Sequence, residues 1–283
     1  MLDRDFALHV EELFAQGDKA DALAARGAFI RLRDALGAGD VRAAEPDPSS
    51  PTGWRCNPWV KQGILLGFRF GRLVDQSMDH GRLAFFDKDT MPLKALTLDR
   101  HVRLVPGGSA IREGAFIGKG VICMPPMYVN IGAYVNECTL IDSHVLVGSC
   151  AQVGKHVHVS AGAQIGGVIE PIGAMPVIIE DHALIGGNTG LYEGVIVKKG
   201  AVIGAGTIIT RSTPVYDLPN GQIIKATEHH PIVIPEKAVV VPGARAVTVG
   251  AGVEWKLSLA TPVIVKYRDE HTDTRTELER WIR

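Results

Sequence analysis

Cysteine is scarce in this chain, and its four residues, Cys56, Cys123, Cys138 and Cys150, fall in no CxxC or other metal-like spacing. That argues against a disulfide scaffold or a zinc ribbon and suits reduced thiols in a cytoplasm. Aromatics are only 6% of the 283 residues. Neither sign of charge is in excess: 30 Lys and Arg stand against 31 Asp and Glu, a net charge of −1. No global field therefore recruits nucleic acid or a membrane surface. The chain has no run of 18 apolar residues, as a transmembrane helix would need. Its N-terminal MLDRDFALHVEEL is charged rather than signal-like. Glycine, by contrast, is abundant: 32 residues, about 11% against a usual ~7%. Hydrophobic residues reach 46%, enough for a core. Much glycine and few aromatics point to a repeat.

The repeat has a period of six. Val105, Ile111, Ile117, Cys123, Val129, Val135, Ile141, Val147, Val153, Val159 and Ile165 are all apolar, and the residues four further on are mostly small or β-branched. The frame breaks at PIGAMPVI (171–178) and resumes as Ile179, Ile185, Leu191, Val197, Ile203, Ile209 and Val215. Neither a 3.6-residue helix nor a period-2 strand gives this pattern. It fits a parallel β-helix of hexapeptide repeats, three short strands and three turns to a coil of ~18 residues. Prisms of this kind are left-handed, an exception to the usual crossover rule. The break inserts one corner excursion, either a wall of an active site or a tolerated surface loop.

The flanks differ. Residues 5–16, 18–36 and 59–68 carry apolar residues at helical spacing, and 45–53 (EPDPSSPTG) reads as a linker. After Val215 the repeat fails, LPNGQII signals a hairpin, 231–267 is strand-like, and 273–283 suits a closing helix. The expected division is a helical domain (1–100), a left-handed parallel β-helix (101–215) and a C-terminal β/α extension (216–283).

Several blocks, GWRCNPWVKQGILLGFR (53–69), FFDKDTMPLK (85–94), VRLVPGGSAIREGAFIGKG (102–120), YVNIGAYV (128–135), VGSCAQVGKHVHVSAGAQIGGVIEP (147–171) and EGVIV (193–197), run in order over most of the chain. With them the sequence resembles the tetrahydrodipicolinate N-succinyltransferase family, acyltransferases of bacterial lysine and diaminopimelate synthesis. The resemblance implies a cytoplasmic homotrimer with active sites in the clefts between neighbouring prisms. It also implies succinyl-CoA as donor (acetyl-CoA being the alternative) and an amino-dicarboxylate acceptor, cyclic or ring-opened. No metal, nucleic acid or membrane partner is expected.

By position, the family's general base matches Asp142 in LIDSH, where a carboxylate would take the proton of an attacking amine. Read without the resemblance, Asp142 is a turn residue capping backbone amides. Arg103 matches an arginine that holds a substrate carboxylate as a bidentate pair; otherwise it is an exposed first-coil residue. Thr189-Gly190 stands where the family pattern has Ser-Glu, so a second acidic residue is missing at Gly190. His144 replaces a tryptophan and either lines the pocket or shares the proton with Asp142. MPPMYVN (124–130) and Gly107-Gly108 are each one residue longer than the family's segments. With ~18 residues per coil and the excursion removed, Ala161, Gly187 and Ala205 fall in one vertical row, a groove for a pantetheine arm or simply small turn residues. Lys198, Lys199 or Arg211 would meet the 3′-phosphate of coenzyme A. His156, His158, His229 and His230 read as solvated.

Three functions follow: succinyl transfer to a tetrahydrodipicolinate-type acceptor, acyl transfer in a secondary pathway such as tabtoxin biosynthesis, or a hexapeptide scaffold without catalysis.

Overall fold

The computed structural model describes residues 2–77, 83–228 and 230–268; the helix expected at 273–283 and His229 lie outside the described residues. Three helices come first: α1 (Arg4–Ala15), α2 (Ala22–Ala38) and α3 (Pro58–Phe70). The first two begin where an aspartate side chain takes an orphan amide of the first turn. Asp3 accepts from Phe6 N at 2.9 Å, and Asp21 from Ala24 N at 2.7 Å. Because Asp21 is the cap, α2 starts at residue 22 rather than 18, and Gly17–Lys19 form a separate 3₁₀ turn. In α3 the opening Pro58 lacks an N–H that would go unpaired there anyway. Phe6, Val10, Leu13, Phe29, Leu32, Leu36 and Ile64 form one buried cluster, into which Ile131 and Cys150 of the prism also pack. The helices are thus docked onto the prism by shared core.

The stretch read as a linker is the turn of a small antiparallel pair, Ala44–Pro46 against Trp54–Cys56. Asp47 N bonds Gly53 O at 2.8 Å, and the Asp47 carboxylate accepts from Ser49 N at 2.9 Å. Pro and Ser supply the turn chemistry here.

From Arg103 onward the chain winds as two-residue strands separated by turns, stacked into three parallel ladders. The first face carries the strands opening at Arg103, Ile122, Leu140, His158, Leu184 and Val202. The second carries those opening at Ala110, Tyr128, Leu146, Gln164, Gly190 and Ile208. The third carries those opening at Phe116, Tyr134, Gln152, Ile178 and Ile196. The second residue of each strand from Ile111 to Ile209 points inward, and with the residues four positions later (Ala115, Val121, Ala133, Val145, Ala163) these form the main core. Each fully buried Val or Ile contributes roughly 1.5–3 kcal/mol.

The register departs from expectation at both ends. On the first rung Leu104, not Val105, sits opposite Cys123. The extra residue is taken up at Gly107-Gly108, both at positive φ, and a Cβ on Gly107 would lie 2.6 Å from Pro125 Cβ. At the other end the ladders do not stop at Val215. The chain leaves after Ile209 and makes the hairpin Val215–Asp217 with Gln222–Ile224 around the Asn-Gly turn. It then returns, Val233 pairing with Ile196 and Val239 with Val202. Val215 is buried in the core yet belongs to that hairpin rather than to a rung. A long antiparallel arm, Ala238–Ala246 with Ser258–Tyr267, follows. No helix among the described residues is long and apolar enough to cross a membrane.

Both interruptions, after Ile165 and after Ile209, leave from the same corner, between the second and third faces. They overhang one strip of the prism.

Candidate active site

The corner between the first and second faces carries five of the expected residues. Asp142 follows the strand Leu140–Ile141 and is half-buried, and its Oδ1 accepts from Ser143 N at 2.7 Å. His144, two residues on, is exposed, with a φ of 61° in the left-handed region. The next coils stack on this turn. Gly162 N donates to Ser143 O at 2.8 Å, Asn188 N to Ala161 O at 3.0 Å and Gly206 N to Gly187 O at 2.9 Å. Ser143, Ala161, Gly187 and Ala205 therefore form a vertical row along the axis. Gly187 could not carry a side chain freely, since its Cβ would lie 3.1 Å from Ala161 O. The amides of Ala161, Gly187 and Ala205 donate to no other group among the described residues. They form a ladder of free donors at the usual ~4.8 Å rung spacing.

The structure does not bring Arg103 and Gly190 to that corner within one chain. Arg103 opens the first rung of the first face, exposed, two rungs from Leu140. Gly190 opens a strand of the second face and is buried. A Cβ there would meet Tyr192 Cε2 at 2.5 Å and Ile208 Cδ1 at 2.8 Å. The space beside Gly190 is thus already filled.

Under the two overhangs lies a cleft of about 1060 Å³. Glu170 and Met175 come from the first excursion, Arg211 and His230 from the second, and Tyr192 and Glu193 from the corner between them. The wall is held from below by the helical domain. Lys61 of α3, fully buried, donates to Ala174 O at 2.5 Å, and Cys56 Sγ donates to the same carbonyl at 3.4 Å. Burial lowers the Lys61 ammonium pKa and pushes the neighbouring Cys150 thiol up to about 12. Both follow from a low-dielectric pocket that disfavours charge.

Of these cleft residues the sequence singles out Met175, as part of the 171–178 excursion offered as an active-site wall, and Arg211 and His230, those two for other reasons. Arg211 Nη2 donates to Thr227 O at 2.5 Å and Glu228 O at 2.7 Å, while its amide reaches Glu193 Oε2 at 2.7 Å. Its charge closes the base of the second excursion. Lys198 is likewise engaged, with Glu180 Oε1 at 2.7 Å and Thr52 O at 2.6 Å. Of the three phosphate candidates, Lys199 is the one whose ammonium is not engaged among the described residues. His156 is exposed and stacks on His182 with centroids 5.1 Å apart, whereas His158 is half-buried rather than solvated. His230 is exposed at the rim of the cleft.

A three-faced parallel prism of hexapeptide rungs, with a polar corner, a ladder of free amides and a loop-covered cleft, defines a member of the hexapeptide-repeat acyltransferase class. A family model described as "Hexapeptide repeat of succinyl-transferase" matches residues 176–211, and one described as "Tetrahydrodipicolinate N-succinyltransferase N-terminal" matches 5–70. Among curated relatives, the 2,3,4,5-tetrahydropyridine-2,6-dicarboxylate N-succinyltransferase of Rhodopseudomonas palustris is 40% identical over 264 residues, covering 91% of this chain and 90% of that protein. The enzymes of the same name from Nitrobacter winogradskyi and Xylella fastidiosa are 40% and 41% identical, over 91% and 89% of the chain. The chain belongs to the tetrahydrodipicolinate N-succinyltransferase family, and is an acyltransferase.

Proposed function

We propose that this chain transfers the succinyl group of succinyl-CoA to the amine of ring-opened tetrahydrodipicolinate, in diaminopimelate synthesis. The observation that carries the reading is the near-full-length identity to enzymes of that name. Asp142 supplies the chemistry. Water adds across the C=N bond of the cyclic acceptor and the ring opens to an amine and a ketone. The Asp142 carboxylate takes a proton from the amine as its nitrogen forms a bond to the thioester carbonyl. The tetrahedral intermediate collapses, the C–S bond breaks, and the thiolate of coenzyme A takes up a proton.

The row Ala161, Gly187 and Ala205 binds the pantetheine arm by backbone amides, which places the thioester at the Asp142 end of the corner. Lys199 meets the 3′-phosphate. His144 lines the pocket beside Asp142. The prism is left-handed, and three copies assemble in the cytoplasm. In that assembly the Asp142 corner of one copy faces the second face and cleft of its neighbour, and the exposed Arg103 holds an acceptor carboxylate. This arrangement unites residues that one chain keeps apart.

Donor choice tests the reading. Release of free coenzyme A thiol from succinyl-CoA, with tetrahydrodipicolinate present, is expected to exceed release from acetyl-CoA at least 10-fold in kcat/KM, the ratio that ~1.4 kcal/mol of binding to the distal carboxylate provides. Equal rates with the two donors would remove succinyl specificity from the account.

A further inference from the structure

Of the strands that build the three faces, each opens with an outward residue, and among the described residues only one of these is glycine: Gly190. The reason is visible beside it. The Tyr192 ring folds back over its own strand, so that a Cβ on Gly190 would lie 2.5 Å from Cε2 and 3.0 Å from Cζ. The same ring covers the coil below, where a Cβ on Gly166 would lie 2.9 Å from Cδ1. Gly166 is paired to this strand, its amide donating to Leu191 O at 2.8 Å. Two glycines on adjacent coils thus make a seat for one aromatic ring. Core-like close packing at both contacts fixes the ring's position.

The seat opens on the cleft, for Tyr192 and Gly166 both line it. Tyr192 is half-buried, and no hydrogen bond holds its hydroxyl among the described residues. Glu193, the next residue, is turned to Arg211. The wall of the cleft at this point is therefore an aromatic ring carrying one hydroxyl. Such a surface fits a short methylene segment between polar ends and provides one hydrogen bond at its edge.

We propose that Tyr192, seated on Gly166 and Gly190, is the residue that selects the acceptor, packing on the methylene segment of an open-chain amino-dicarboxylate. This inference rests on the acyl-transfer reading above for the identity of the site. It adds a specificity determinant that neither the hexad pattern nor the row of free amides contains.

The test separates the two ideas. Binding of L-2-aminopimelate is measured by calorimetry on the full chain, without turnover, for the wild type, Tyr192→Ala, Tyr192→Phe and Gly190→Ala. The proposal predicts at least 10-fold weaker binding for Tyr192→Ala. Tyr192→Phe, which keeps the ring, should lose 2- to 5-fold. Gly190→Ala should weaken binding in the same direction as Tyr192→Ala although the phenol is still present, because the added Cβ unseats the ring. In steady-state assays the acceptor KM of Tyr192→Ala rises while its donor KM stays within 2-fold. A purely structural role would move both constants together with the melting temperature, and that result overturns the proposal. So does wild-type affinity in Tyr192→Ala, or an absence of L-2-aminopimelate binding by the wild type. Binding without any thiol release from succinyl-CoA would instead overturn the acyl-transfer reading and leave the ring's role in selection supported.

Discussion

Asp142→Asn is expected to lower kcat for coenzyme A release by 10²- to 10⁴-fold while leaving the melting temperature and both KM values close to those of the wild type. The magnitude is what a positioned general base usually contributes. The clean separation comes from the local geometry. Among the described residues Asp142 makes one side-chain bond, from Ser143 N to Oδ1 at 2.7 Å, and an asparagine carbonyl can accept the same bond. The substitution removes the ability to take a proton and little else. A variant that retained kcat within 3-fold would show that Asp142 is only a turn cap, and the base would have to be sought elsewhere.

The second large effect is on stability. Gly148→Ala is expected to cost about 3 kcal/mol or more, because an added methyl group has nowhere to go. For a chain of this size that corresponds to a fall in melting temperature of roughly 6–12 °C. A Cβ on Gly148 would lie 2.2 Å from Gly167 N and 2.6 Å from Gly167 Cα. Its own amide donates to Ile165 O at 2.7 Å, so the coil cannot move aside without losing a rung. Gly173, in the first excursion, is the control. Its φ lies outside the left-handed region and nothing lies within 4 Å of where an added methyl group would sit, so Gly173→Ala should be neutral or stabilising by up to about 1 kcal/mol. Thermal unfolding of the two variants side by side decides the matter. Equal melting temperatures would mean that the coils are not packed as tightly as described.

The contrast between these two glycines shows where sequence reading succeeds. A period of six is a direct consequence of one inward residue per face, so the faces and the core from Ile111 to Ile209 are legible in the residues alone. The row of Ala161, Gly187 and Ala205 follows from arithmetic on that period, and the bonds from Asn188 to Ala161 and from Gly206 to Gly187 place it as expected. Arithmetic fails wherever the chain adds residues. Gly107-Gly108 moves the first rung from Val105 to Leu104, and the hairpin around Asn220-Gly221 hides the return of the prism at Val233 and Val239. The pairing of residues 44–46 with 54–56 is obscured by a turn rich in Pro and Ser.

The cleft is less legible still. Glu170, Tyr192 and His230 meet only because two excursions leave the same corner two coils apart, which is a tertiary fact with no period. Lys61 reads as one residue of a helix motif; its burial under Ala174 depends on where α3 docks. Gly190 can be flagged as unusual, but not the reason for it. The ring that fills the space belongs to Tyr192, two residues on, and Gly166 shares it from the coil below.

Mass spectrometry of the product formed by wild-type protein from succinyl-CoA and tetrahydrodipicolinate is the most direct test of acyl transfer at this site. One new species is expected, the open-chain keto-dicarboxylate carrying a succinyl amide, formed in step with free coenzyme A. Hydrolysis of succinyl-CoA with the acceptor recovered unchanged, or succinylation of some other amine and never this one, would contradict it.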